Sequence, residues 1–253
     1  MKNLLARLIQ ILLWGMLGLV FFAHALFALY IWMPIPGTPL MAIRSYEALK
    51  QWKSPIYSYD WVPLEEMSKR LPEVSVAAED SKFYSHHGFD FEAIEKAAKN
   101  NRKGKRIKGG STISQQVAKK LFLWPKRSGL RKGLEVYWTV LIEGLWSKDR
   151  IMEVYLNIVE LGNGVYGVEA ASQKFFKKPA NKLSRSEASL LAAVLPNPRQ
   201  MRVDAPSSYV RMRQTLILRR SYQVDLGAPA IIPTKSRRIL NKNKTRVIPD
   251  SSH

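Results

Sequence analysis

The sequence predicts a mainly α-helical protein that begins with a single transmembrane helix. Three observations carry this reading. Residues Ile11 to Met33 form a run of 23 positions in which His24 is the one strongly polar side chain. Thr112 with Gln115, and Ser184 with Glu187, have capping-box spacing, and each pair leads into an apolar-periodic stretch. No run of alternating β-type residues of any length is present.

Taken in order, the first apolar run spans about 34 Å as a helix, enough for the hydrocarbon core of a bilayer. Lys2 and Arg7 precede it, and Tyr30 and Trp32 sit where an interfacial aromatic belt lies. That positive flank predicts an N-terminus in the cytoplasm and the remainder outside. Ala23-His-Ala25 resembles a small-residue cleavage site, but the apolar run continues for eight residues beyond it, so a retained anchor is the expectation. Pro34 to Pro39 breaks the helix and makes a stiff exit from the membrane.

From Met41 to about Tyr222 the pattern is mostly helical. A helix starting near Pro72 carries Glu79 and Asp80 towards its C-terminal end. Asp90 to Lys99 has helical spacing and runs into a basic loop, Asn100 to Lys108. A helix capped by Thr112 presents Val117 and Leu121 on its apolar face. Arg131 to Trp146 is amphipathic to apolar and contains Glu135 and Glu143, and Ser147 caps the next helix, which runs to Asn157. Leu161 to Gly167 reads as a turn-rich loop, and Val168 to Phe176 as helix. Ser184 heads an apolar helix through Leu195, which Pro196-Asn-Pro198 stops. From Gln223 the chain is rich in Pro, Lys, Arg and Asn without periodicity, and disorder is expected there. The expected division is an anchor over 1–35, a main domain over 36–222 and a basic tail over 223–253.

The chain has 253 residues with 40 Lys+Arg against 20 Asp+Glu, a formal charge of +20, which points to an anionic partner: nucleic acid, phosphate-bearing substrate or membrane surface. Without cysteine there is neither a disulfide framework nor a thiolate metal site. No Gly-x-Gly-x-x-Gly or Walker loop is present. His86 and His87 are adjacent and point apart on any regular structure, so no metal cage is legible. Base-reading motifs are missing too, and nucleic acid is not the expected partner.

The chemistry concentrates in Glu79-Asp-Ser-Lys-Phe-Tyr-Ser-His-His-Gly-Phe-Asp90. A carboxylate at the end of a mostly apolar helix is a candidate general base, because partial desolvation raises its pKa towards the working pH. Further on, Gly109-Gly110 feeds a capped helix N-terminus whose free N–H groups can hold an anion. Then follow Lys119, Arg127, Arg131 and the second acid, Glu135. Two glutamates with cations between them suit attack by a hydroxyl and departure of an anionic group.

Four motifs in succession, Glu79-Asp-x-x-Phe-x-x-His-x-Gly-x-Asp, Gly109-Gly-Ser-Thr-Ile-x-Gln-Gln, Arg131-Lys-x-x-Glu135 and Ser147-Lys-x-x-Ile-x-Glu-x-Tyr-Leu-Asn157, resemble the signatures of the peptidoglycan glycosyltransferases, glycosyltransferase family 51. They stand in the family's order over about residues 70 to 200. About fifty residues follow, so the resemblance is to the members without a transpeptidase domain. It implies a lysozyme-like helical catalytic domain with a smaller membrane-associated lobe, in the bacterial inner membrane with the catalytic domain periplasmic. Its implied substrates are lipid II and the lipid-linked glycan chain. By the same resemblance Glu79 is the base at the acceptor 4-hydroxyl, and attack at the donor's anomeric carbon expels undecaprenyl pyrophosphate with inversion. Glu135 matches the glutamate that organises the pyrophosphate region. Lys119 and Arg127 match cations near the leaving diphosphate, and Ser111 and Gln116 match polar groups lining the cleft. Ser114 stands where the family often has Thr, and keeps the hydroxyl. No cofactor is required by the sequence; a divalent cation, Mg or Mn, at the pyrophosphate stays open, as does assembly with cell-division or elongation proteins. The competing reading is a lysozyme-like lytic enzyme, against which the interposed cations argue, since glycan hydrolysis expels no phosphate.

Overall fold

The structure, a computed structural model, describes residues 2–50, 58–102, 110–126, 128–224 and 226. Helix α1 (Lys2–Leu29) holds the apolar run, and Ala6–Leu29 is, among the described residues, the one stretch long and apolar enough to cross a membrane. It ends four residues before the expected Met33. The reason lies 120 residues away: the Arg150 guanidinium donates to the Tyr30 carbonyl at 2.8 and 3.0 Å and to that of Met33, so tertiary partners take over carbonyls that a continuing helix would use. The proline segment does more than end the apolar run. Ile35 is fully buried, and Pro39 opens α2 (Pro39–Lys50).

Helix α3 (Arg70–Glu79) has Pro72 in its first turn, where a missing N–H costs no helical bond, and buries Leu71, Val74, Val76 and Ala77. Helix α4 (Phe91–Arg102) runs three residues past the expected helix end, into the start of the basic stretch; the rest of that loop, 103–108, lies outside the described residues. Helix α5 (Ile113–Phe122) begins at the anticipated capping box, with the Thr112 side chain accepting from the Gln115 N–H and the Gln115 side chain accepting from the Thr112 N–H. Ser128 caps α6 (Gly129–Leu145) and Ser147 caps α7 (Lys148–Ile158). Helices α8 (Val168–Phe176), α9 (Arg185–Val194) and α10 (Ser208–Ser221) follow, α9 again from a complete capping box at Ser184 and Glu187. Residues 227–253, most of the expected tail, are outside the described set.

Three short strands accompany the helices of this mainly helical fold. The turn-rich stretch forms β2 (Glu160–Gly162) and β3 (Val165–Tyr166), antiparallel with an irregular register, and β1 (Ser58–Tyr59) adds to β3 in parallel. Strands of two or three residues carry no alternation to read. Gly167 then closes the turn at φ +81°, where a Cβ would lie 2.5 Å from the Asn157 carbonyl oxygen.

Two groups of helices share one core. Helix α3 packs on α9 and α10, and α5 packs on α6 and α7. The C-terminal end of α1 joins the second group: Phe27 is buried against Trp146, stacked at 5.5 Å between ring centres, with Trp138 and Phe122 alongside. The polar residue of the apolar run is partnered as well, since His24 Nε2 lies 2.6 Å from the Tyr137 hydroxyl of α6.

Candidate active site

Glu79 is the last residue of α3, and the backbone leaves the helix at Asp80, φ −155°. The buried apolar turn beneath it fixes the carboxylate where α3 faces α5. There its Oε2 accepts a hydrogen bond from Gln116 Nε2 at 2.8 Å. The carboxylate keeps a window on solvent, yet protein surrounds most of it, and this burial pushes its pKa up. The Gln116 bond and the charges of Arg213 and Lys120 oppose the shift, and Asp80 adds slightly to it. The result is a carboxyl group poised above the ordinary range, as a base working near neutral pH requires.

The neighbouring residues hold this corner together. Asp80 is buried and accepts from the Ile113 N–H at 2.9 Å, so it clamps the first turn of α5 to the end of α3. His86 Nε2 lies 2.9 and 3.0 Å from the two Asp80 oxygens, while its Nδ1 accepts from the Gly88 N–H at 3.1 Å. With Nδ1 accepting, the ring proton sits on Nε2 and is donated to Asp80. The Thr112 hydroxyl donates to the Gly88 carbonyl at 2.7 Å. Ser114 donates to Glu143, and Lys148 Nζ reaches both Glu143 at 2.8 Å and the His86 carbonyl at 2.7 Å. Residues of the first, second and fourth sequence motifs thus meet in one hydrogen-bonded unit, with Glu143 of α6 at its centre.

Glu135 belongs to a separate cluster. It is buried on α6, with Arg131 Nη1 at 2.8 Å and Lys132 Nζ at 2.5 Å, four and three residues earlier on the same face. No contact joins Glu135 to Glu79 among the described residues; α5 and α6 packing side by side is what relates them. Lys119 is half-buried on α5, Ser111 is exposed just before the cap, and Arg127 lies outside the described residues. A protein-built divalent-cation site does not fit here. Both Glu135 oxygens already face cations, and no group of three or more His, Cys, Asp or Glu suited to a metal occurs among the described residues.

Several residues at this site went unread in the sequence. Lys120, Arg213 and Tyr155 are the charged or polar groups around Glu79 beyond Gln116 and Asp80. For Lys120 a signal existed: it stands four residues after Gln116, one helical turn on. Arg213 and Tyr155 arrive from distant helices and leave no local mark. His86 and Lys148 sit inside the recognised motifs and Glu143 lies between the third and the fourth; what sequence spacing concealed was their mutual bonding.

The fold and the site define a helical protein with an N-terminal helix apolar enough to cross a membrane and a desolvated carboxylate beside a capped, cation-bearing helix. Comparison with known proteins agrees: a transglycosylase family model matches residues 47–222. The chain belongs to this family, and with it to the peptidoglycan glycosyltransferases of cell-wall synthesis. It is 56% identical over 204 residues to a biosynthetic peptidoglycan transglycosylase of Bdellovibrio bacteriovorus, covering 80% of this chain and 82% of that one. It is 54% identical over 202 residues to the protein of that name in Escherichia coli, covering 78% and 82%. For the Caulobacter vibrioides protein of the same name the figures are 48% over 213 residues, 84% and 87%.

Proposed function

We propose that this protein polymerises lipid II into glycan strands, with Glu79 as the general base. The observation that carries the reading is the half-sequestered Glu79 carboxylate hydrogen-bonded to Gln116, on the helix that also bears Lys119. Glu79 takes the proton from the acceptor sugar's 4-hydroxyl as that oxygen bonds to the anomeric carbon of the donor. The bond from that carbon to the diphosphate oxygen breaks, its electron pair leaves with undecaprenyl pyrophosphate, and the centre inverts. Charge grows on the diphosphate, so cations already aimed at it stabilise the transition state without reorganising. Lys119 and Arg127 take that role. Glu135 serves it indirectly, by fixing Arg131 and Lys132, and Ser111 and Gln116 bind polar groups of the sugars.

The lipid-linked substrate also fits the placement of α1. Its positive flank orients the N-terminus to the cytoplasm and the catalytic domain to the periplasmic side of the inner membrane. Leu130, Val136, Tyr137, Val140 and Leu145 leave an exposed apolar face on α6, beside the seat of α1, which suits contact with the bilayer.

The test is polymerisation of lipid II with sizing of the products, for wild type and Glu79→Gln. Loss of a general base lowers the rate by about 10²–10⁴-fold, with lipid II binding retained. Near-wild-type activity in the variant overturns the assignment of Glu79. A wild type that leaves lipid II intact yet releases fragments from finished sacculi would instead be a lytic enzyme.

A further inference from the structure

Lys120 has no part in the chemistry described so far, and its surroundings are unusual for a lysine. It lies on α5 four residues after Gln116, so the two occupy one face of the helix. Helical side chains lean towards the N-terminus, which sends the Lys120 stem back over the turn where Gln116 holds Glu79. It is half-buried, and the charges it faces are Glu79 from the end of α3, Glu160 from β2 and its neighbour Lys119. Neither carboxylate closes a direct ion pair with it among the described residues. A half-buried ammonium is best tolerated where negative charge answers it, and here Glu79 and Glu160 supply that charge.

We propose that Lys120 is a positioning residue for the transfer reaction: it faces Glu79 beside Gln116 and holds that carboxylate in the anionic, proton-accepting form. This rests on the reading of Glu79 as the base. Of the other groups around Glu79, Arg213 alone shares this work. Asp80 on α3 carries like charge and is committed to His86 and the Ile113 N–H. Tyr155 of α7 has a buried hydroxyl without a partner among the described residues, and burial holds it protonated, its pKa far above the ordinary value. Arg213 of α10 also favours the Glu79 anion, but its Nε donates to the Ala193 carbonyl at 3.1 Å and tethers it to α9, whereas Lys120 stands on the helix of Gln116 itself. Burial and Lys119 push the Lys120 ammonium down to about 8, so at neutral pH it still carries the charge that the role needs.

The assignment has a signature that neither a packing role nor a contact with the substrate shares. Without the cation Glu79 becomes harder to ionise, so the acidic limb of the kcat/KM profile moves to higher pH. Above that limb the base is restored, and the rate recovers towards wild type. The experiment measures polymerisation of lipid II by the full-length protein from pH 5 to 9, for wild type, Lys120→Met, Lys120→Gln and Lys120→Arg, each checked for an unchanged melting transition. The expected result is an upward shift of the acidic limb by about one pH unit in the Met and Gln variants, with the limb restored in Lys120→Arg. A limb that stays in place, whether the rate is unchanged or lowered equally at every pH, overturns the proposal. Glu79→Gln in the same assay separates the two ideas. If that variant is inactive while the limb stays in place, the Lys120 inference fails alone. If Glu79→Gln turns over like wild type, the reading of Glu79 fails first.

Discussion

A carboxylate that works as a base is held ionised in surroundings that disfavour its charge, and at Glu79 this should be visible as a loss of stability. Its folded-state pKa is raised by burial. The native state therefore binds the proton more tightly than the unfolded chain does. The stabilisation from that proton is full below the unfolded pKa and is lost as pH rises through the folded value, so at neutral pH the ionised group weakens the fold. Glu79→Gln removes the charge and keeps an oxygen to accept from Gln116. Its melting temperature at pH 7.5 should rise by about 1–3 °C while activity collapses, and the gain should vanish near pH 4. A lowered melting temperature at pH 7.5 would mean that the carboxylate is a structural partner and not a strained base. At this scale the sequence was most informative where motif spacing named the groups, as for Glu79 and Gln116. It was silent where the partner comes from another helix, as Arg213 and Tyr155 do.

Among the elements, the link that matters most to the site is the bend from α3 into α4, because it ties Asp80, His86 and Gly88 to the start of α5 and to α6. Gly88 is the tightest point. Its φ of +88° is a conformation that L side chains rarely adopt, and a Cβ there would meet Thr139 Cγ2 at 2.9 Å and Glu143 Cγ at 3.0 Å. Gly88→Ala should cost about 1–3 kcal/mol, seen as a melting temperature lower by roughly 2–10 °C. Because the displaced bend carries the Asp80 clamp, kcat should fall in the same variant. Unaltered stability would show that the bend relaxes freely and that the clamp is not rigid. The helices themselves were readable because capping chemistry is local: Thr112, Ser147 and Ser184 each satisfy orphan N–H groups within three residues. The sheet was not, because β1 meets β3 across more than a hundred residues and each strand is too short for a pattern. The end of α1 was misplaced for a related reason, since apolar composition continues past Leu29 and the carbonyls that stop the helix are claimed by Arg150.

At the scale of the whole molecule, the apolar helix α1 is built into the catalytic domain. Had the apolar run been a tether alone, cutting it away anywhere before Pro34 would leave the domain intact. The structure divides it near Phe22. From Ala6 to this point at Phe22 the side chains of α1 are exposed. After it, His24 bonds Tyr137, Phe27 is buried under Trp146 with Trp138 at its side, and Arg150 grips the Tyr30 and Met33 carbonyls. Tyr137 and Trp138 follow Glu135 on α6, and Phe122 ends the helix that carries Gln116, so this seat backs the two helices that build the site. Two truncations should therefore behave differently. Removal of residues 1–22 should leave a folded enzyme that binds anionic vesicles through its positive charge and the apolar face of α6, less well as salt rises. Removal of residues 1–33 takes Phe27 out of the core, a change of about 3–5 kcal/mol for a buried aromatic. Its melting temperature should fall roughly 6–20 °C below that of the shorter truncation, with a matching loss of lipid II polymerisation in detergent, where no bilayer can account for the difference. Equal melting temperatures for the two truncations would show that α1 only tethers the enzyme.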